Sequence, residues 1–413
     1  MRILLCFFLL SSFHLMYAQE SGFDTLNQPN KLQKEQVKDA FYYRLQARRD
    51  TNQDKALELL DKAIALRTKK QDADWIADVR VERAVLLLKK GDSKHAFSEL
   101  LTAEKIFTET HNNISKANVL FIMANFYERN AGWEEATKYY KNAQQLQEAE
   151  NNSLLAALIS LRLTDIALNQ NDLEEANRHA SYAIKQYQSL NDKTGLGLSY
   201  VKLAEIYRRE KQYSKGEKLI LKSALPFFRS AEYQTGRIGC FDVLGKIYHS
   251  QKKYSQAKWF FIQANTQARA LDDVNEIITS LINLGKVKVD IGDYKLAQRD
   301  FSEAKTLASE LDNLFLMANV NDAFAILYKK TGNQSGSEDA QAFSEKLKDS
   351  LDIYYYAEVE SAKTAKIIPE PVLAKKKSKP VHKDGYSAVF LVKIIGGTLL
   401  FLLIIYLILR RLK

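Results

Sequence analysis

Apolar residues recur along this chain at helical spacing, in blocks separated by short polar stretches, and they predict a succession of amphipathic helices. In the stretch 244–264, Leu244, Ile247 and Tyr248 mark one face of a first helix, and Ala257, Phe260, Phe261 and Ala264 mark one face of a second. The breaks inside such pairs hold turn residues: Gly91-Asp92, Ala131-Gly132, Asn171-Asp172, Gly292-Asp293 and Gly332-Asn333. Further polar turns fall between pairs, around Asp72, Asn112-Asn113, Asn151-Asn152, Asn191-Asp192, Asp272-Asp273 and Asp312-Asn313. Asn and Asp suit these places because they cap the next helix and tolerate left-handed backbone.

Three columns of small residues repeat with a period of 40. The first is Ala56, Ala96, Ala136, Ala176, Gly216, Ala257 and Ala297; the second is Ala63, Ala103, Ala143, Ala183, Ser223, Ala264 and Ala304. The third is Arg44, Ala84, Ala124, Thr164, Ala204, Gly245, Gly285 and Ala325. One step, between the fifth and sixth units, is 41. A period of this size predicts a solenoid in which each unit buries its apolar face only against its neighbours. Antiparallel helices approach closely where one side chain is small, so Gly245 is expected to face Ala257, with large partners at Tyr140, Ile220, Phe261 and Phe301 in the next layer. Two units look degenerate: Arg44 stands in the small column of the first, and extra residues are expected around 335–337 in the eighth.

The set Leu244, Gly245, Tyr248, Ala257, Phe261 and Ala264 resembles the tetratricopeptide repeat (TPR), as do Met123, Ala124, Tyr127, Ala136, Tyr140 and Ala143. The resemblance covers roughly residues 37–350. It implies an all-α TPR-like solenoid of about eight helix-turn-helix repeats, with longer helices or turns than the usual 34-residue unit. The segment 347–366 also resembles the exit helix of exported TPR sensor regions in bacterial membrane histidine kinases and regulators, but no kinase or DNA-binding part follows.

The ends suggest a membrane protein. Residues 1–18 read as a signal peptide, with Arg2, an apolar stretch and Met16-Tyr17-Ala18 before the expected cleavage, and 19–36 form an N-terminal lead. The solenoid with its C-terminal capping helix is expected over 37–362, and a Lys/Pro-rich juxtamembrane linker over 363–387. Residues 388–409 form a 22-residue apolar run, predicted as a transmembrane helix, and 410–413 a short cytoplasmic tail. The expected location is therefore single-pass in a membrane, with periplasmic repeats. Linker lysines argue for the reverse orientation, a tail-anchored cytosolic protein. The signal peptide outweighs them because it commits the amino terminus to export first.

Net charge is +10, but residues 19–360 hold 48 basic and 48 acidic side chains. A balanced solenoid predicts no nucleic-acid partner. The linker lysines are placed to meet anionic lipid headgroups. Cys240 is the one cysteine after the signal segment and is expected as a small packing residue. His179 is expected toward solvent, and no histidine cluster, phosphate-binding loop or nucleophile elbow is present. No enzyme activity and no cofactor are expected.

In this fold the first helices line the concave side. The position after the third small column reads Leu45, Val85, Asn125, Asp165, Glu205, Lys246, Lys286 and Ile326, apolar at the ends and charged in the middle. With Arg129, Arg208, Asp242 and His249 on the same faces, these residues form the candidate groove for a protein or peptide. The alternative is that they pair with one another across adjacent units. Two functions follow: a membrane-anchored scaffold or adaptor in an envelope complex, or the input component of a two-component or transcriptional system acting through a partner kinase or regulator. A partner membrane protein or self-association would serve either.

Overall fold

The structure, a computed structural model, describes residues 31–68, 72–130, 132–311 and 313–364, with side chains beginning at Ala40 and ending at Ser350. The expected signal peptide, membrane span and tail, and most of the expected lead and linker, lie outside the described residues. Sixteen helices fill what is described, and no strand occurs among them. They are α1 (Lys31–Arg49), α2 (Gln53–Thr68), α3 (Ala73–Lys90), α4 (Ser93–Glu109), α5 (Asn113–Arg129), α6 (Trp133–Ala149), α7 (Ser153–Asn169) and α8 (Leu173–Ser189). After α9 (Lys193–Arg209) comes α10, made of Tyr213–Leu219, a π turn Ile220–Ala224 and Leu225–Ser230. The rest are α11 (Gln234–Ser250), α12 (Tyr254–Ala270), α13 (Val274–Asp290), α14 (Tyr294–Glu310), α15 (Leu314–Lys330) and α16 (Gln334–Thr364). Consecutive pairs pack as eight hairpins.

The repeat of the small columns has a local origin. From α4 to α15 every helix except α10 has the same length, 17 residues. Turns of equal length follow these helices, so each hairpin uses the same stretch of chain and the columns stay in phase. The middle turn residue adopts left-handed backbone, for example His111 (φ 60°), Asn151, Asn171, Asn191 and Lys252. That conformation lets the next N–H bond back into the last helical turn, as in Asn112 to the Phe107 carbonyl (2.9 Å) and Asp273 to Ala268 (2.9 Å). The same residue then caps the following helix: Asn112, Asn152, Asp172, Asp192, Asp273 and Asn313 each accept an N–H from the first helical turn. Each turn therefore ends one helix and starts the next with the same few residues.

The small columns are the core. Ala96, Ala136, Ala176, Ala297, Ala103, Ala143 and Ala304 are fully buried. What a side chain on Gly245 would meet first is the ring of Phe261, one helical turn beyond Ala257 on α12. A Cβ on Gly245 would lie 2.5 Å from that ring, and one on Gly285 would lie 2.2 Å from Phe301. Backbone contact of the expected kind occurs at Gly216, where a Cβ would come 3.0 Å from the Ala204 carbonyl.

Three expectations are corrected. The small residue at the second column of hairpin 5 is Ala224, fully buried, while Ser223 is only half-buried. The extra residue of the longer step is absorbed in the π turn Ile220–Ala224. Pro226, just beyond, lacks the N–H an α-helix would use and would crowd the carbonyl of the preceding turn, and local widening relieves that crowding. Hairpin 8 has no extra residues, because Ser337 and Ser344 continue both columns in phase, bonded to the carbonyls of Ala325 (2.9 Å) and Ala318 (3.1 Å). His179 is buried rather than solvent-facing, 3.2 Å from Glu175. In hairpin 1, Arg44 is buried and makes an ion pair with Glu82 of α3 (2.6 Å).

First helices are buried on more sides than second ones: α5 buries nine residues and α7 eleven, against four in α6 and five in α8. Neighbouring first helices also touch, α7 with α9, α9 with α11, α11 with α13 and α13 with α15, and no comparable contact joins successive second helices among the described residues. Helices crowded on one side and splayed on the other make a curved array, with the first helices inside. The curvature carries through about one circuit, since α16 packs against α4 and Trp133 of α6 meets Phe315 of α15 edge-on at 6.4 Å.

Candidate interaction trough

Side chains spaced three or four residues apart on a first helix share its free face. On that face Lys202 of α9 meets Asp165 of α7 at 2.6 Å. Arg208 grips Glu205 through two nitrogens, both at 2.7 Å, and Arg209 adds a third bond at 3.0 Å. Arg208 also reaches Ser250 of α11 (3.2 Å). Lys246 pairs with Asp242 at 2.6 Å, Asn283 of α13 donates to Asp242 (2.8 Å), and His249 meets Asp290 of α13 at 2.7 Å. A polar seam thus crosses three successive helix boundaries from α7 to α13. At its upstream end the Tyr140 hydroxyl lies 2.9 Å from Asn125 Oδ1 and 2.5 Å from the Glu128 carboxylate. Asn125 Nδ2 donates to the Phe121 carbonyl (2.7 Å).

Of the nine polar residues expected to line a groove, seven are engaged by neighbours: Asn125, Asp165, Glu205, Arg208, Asp242, Lys246 and His249. Arg129, exposed, and Lys286, half-buried, make no hydrogen bond or ion pair among the described residues. Two residues missed in the sequence share that property, Arg162 on α7 and the side chain of Glu276 on α13. Arg162, Lys202 and Asn283 all lie two positions before the third small column, one helical turn before the column that was read. That second polar column was the available signal.

Electrostatics separates paired from unpaired charges. Burial raises the Glu205 carboxyl, but hydrogen bonds from Arg208 and Arg209 and the charge of Lys246 outweigh it and bring it down to about 2. Burial lowers the Lys246 ammonium, yet Asp242 and Glu205 reverse the balance and raise it. Lys286 is compensated too little: burial and the nearby Lys246 outweigh the pull of Asp322 and Asp242 and hold it below the usual lysine range. Glu276 is the mirror case, raised to about 7 by burial and by Asp242 and Asp273. Such groups gain most from a charged or hydrogen-bonding ligand. Burial pushes the Cys240 thiol up to about 12, as befits a packing residue. No group of three or more His, Cys, Asp or Glu among the described residues could hold a metal ion.

These features define a class, the tetratricopeptide-repeat helical solenoid. Residues 49–236 match the sequence family described as the SusR N-terminal TPR domain. Among solved structures, the apo form of RapI aligns with a TM-score of 0.55 at 16% identity, over 67% of this chain and 99% of its own. Aspartyl phosphate phosphatase F from Bacillus subtilis aligns with 0.54 at 13%, over 90% and 94%. A Rap protein complexed with competence and sporulation factor gives 0.52 at 13%, over 80% and 98%. At these identities the likeness is one of fold. No curated protein sequence matches the chain. No kinase or DNA-binding domain occurs among the described residues, and no helix among them is long and apolar enough to cross a membrane.

Proposed function

We propose that the chain is a non-enzymatic scaffold whose trough holds an extended segment of a protein partner. Residues 388–409 would anchor it in a membrane, with the repeats on the extracytoplasmic side as part of an envelope complex. The observation that carries this is the contrast along the seam, where most charges are in ion pairs or hydrogen bonds while Arg129, Arg162 and Lys286 make neither among the described residues, Arg162 sensing Glu128 and Asp165 only through space. Acidic groups on the partner would complete them through charge-assisted hydrogen bonds. The solved complex of a Rap protein with competence and sporulation factor supports ligand binding by arrays of this fold. The matched family is described as an N-terminal TPR domain, which is compatible with a second reading. In it the chain is the input component of a signalling system and passes ligand occupancy to a partner kinase or regulator.

Crosslinking of the membrane-embedded protein in cells, with identification of what it holds, tests the proposal. Arg129→Gln with Lys286→Gln should weaken capture of the crosslinked partner and leave the melting temperature within a few degrees, since both charges are disfavoured where they stand. Full capture by that variant would remove the trough from the partner's path. A copurifying kinase or regulator would favour the second reading over the first.

A further inference from the structure

The outer face of the array is not uniform. The second helices α2, α4, α6, α8 and α14 each carry at least two carboxylates, which offset their basic residues. Helix α10 carries Lys215, Lys218, Lys222 and Arg229 against Glu217 alone, and α12 carries Lys258 and Arg269 with no acidic residue, although Arg269 is paired with Glu303 of α14 at 2.5 Å. Glu217 is itself occupied by the Tyr248 hydroxyl at 2.7 Å. Lys215, Lys218 and Lys222 are exposed and make no ion pair among the described residues. The same two helices also expose large apolar side chains: Leu221 (42% exposed), Trp259 (53%) and Ile262 (40%). The π turn of α10 supplies Leu221 and Lys222, so the irregular helix of the array lies within this patch.

We propose that this convex face of hairpins 5 and 6 lies on an anionic lipid surface. Unpaired lysines are drawn to anionic headgroups, and an indole flanked by aliphatic groups enters the headgroup layer, where its ring is partly dehydrated and its N–H stays wet. An acidic protein would need a face shaped to match, whereas lysines on helices that also expose a tryptophan and two aliphatic residues suit the layered polarity of any anionic bilayer surface. The trough lies on the opposite side, so the two proposals are independent. A chain seated this way leaves its trough facing away from the bilayer, open to a partner.

The full chain reconstituted into vesicles tests this. Binding alone would be uninformative, because residues 388–409 could hold the chain at any bilayer, so the readout is contact of Trp259 with lipid. Brominated lipids are compared in phosphatidylcholine alone and in a two-to-one mixture with phosphatidylglycerol. Trp259→Phe subtracts the two half-buried tryptophans, Trp75 and Trp133. Quenching of Trp259 should appear in the anionic vesicles, disappear at high salt, and be lost in Lys215→Glu/Lys218→Glu/Lys222→Glu. Reversal of Lys138 and Lys185, exposed on α6 and α8, should leave it intact. Equal quenching in both lipid mixtures, or quenching that survives the triple reversal, would overturn the proposal. So would a triple variant that loses a crosslinked protein while Trp259 quenching stays unchanged, which would assign the face to a protein.

Discussion

Hairpins 3 and 4 fill the space beneath the third small column differently from hairpins 6 and 7. Upstream, the same sequence offset matches Ala124 with Tyr140 and Thr164 with Ala180, all buried; downstream, Gly245 and Gly285 receive the rings of Phe261 and Phe301. The two partners keep one sequence separation in all four hairpins, and one shrinks as the other grows. Close packing explains the trade, since interiors tolerate neither a void nor an overlap of one methyl group. Polarity also differs. The Tyr140 hydroxyl extends from the core into the trough and joins Asn125 to Glu128, whereas a phenylalanine ring ends on bare backbone. Core and trough are therefore linked through Tyr140 in hairpin 3, a link that Phe261 and Phe301 cannot make.

Removing a downstream ring should break the comparison most severely. Phe261→Ala leaves a cavity that glycine cannot fill and should cost about 3–5 kcal/mol, read as a drop in thermal or urea stability. Gly245→Ala gains about 1 kcal/mol of helix propensity but forces the Phe261 ring aside, for a net loss of about 1–3 kcal/mol. The double variant Gly245→Thr/Phe261→Ala copies hairpin 4 and should be more stable than Phe261→Ala alone; additive losses would show that the two positions do not share one space.

In the downstream trough, Glu276 titrates near 7 when folded and near 4.5 when unfolded. The folded chain thus holds the extra proton, and stability falls as pH rises from 4.5 through 7. Glu276→Gln should remove about 1–2 kcal/mol of that loss, raising the melting temperature at pH 8 more than at pH 5. Equal shifts at both values would mean that its carboxyl is better solvated than its surroundings indicate. The smallest effect sharpens the upstream side: Tyr140→Phe should cost about 1 kcal/mol by stranding Asn125 and Glu128. Because the hydroxyl belongs to the trough network, the variant should also alter partner crosslinking, which Phe261→Leu should not.

The architecture was legible because it is written many times over. Any one alanine is uninformative, but small columns that return in phase in every unit leave only one arrangement of helices. Legibility failed where two residues were equally suitable. Ser223 and Ala224 are both small, and only the crowding by Pro226 pointed to the place where the additional residue is absorbed. Ser337 and Ser344 were missed because a buried serine needs a carbonyl to bond, and the Ala325 and Ala318 carbonyls belong to another helix. In the trough the charged column could be read but its pairing could not. Lys246 and Asp242 lie four residues apart on one helix, but whether Lys246 also senses Glu205 or a ligand depends on the offset between neighbouring helices, and the residues that fix it, such as Asn283, lie in a different hairpin.

The seating of α16 on α4, together with Trp133 against Phe315, fastens late hairpins to early ones. A linear stack can lose an end unit and remain whole, like a shortened ladder. This one behaves as a clasped ring, in which clipping the last hairpin bares α4 and loosens units that are remote along the chain. Its bore is then set by the completed loop, and a partner that widened it would have to undo the clasp first.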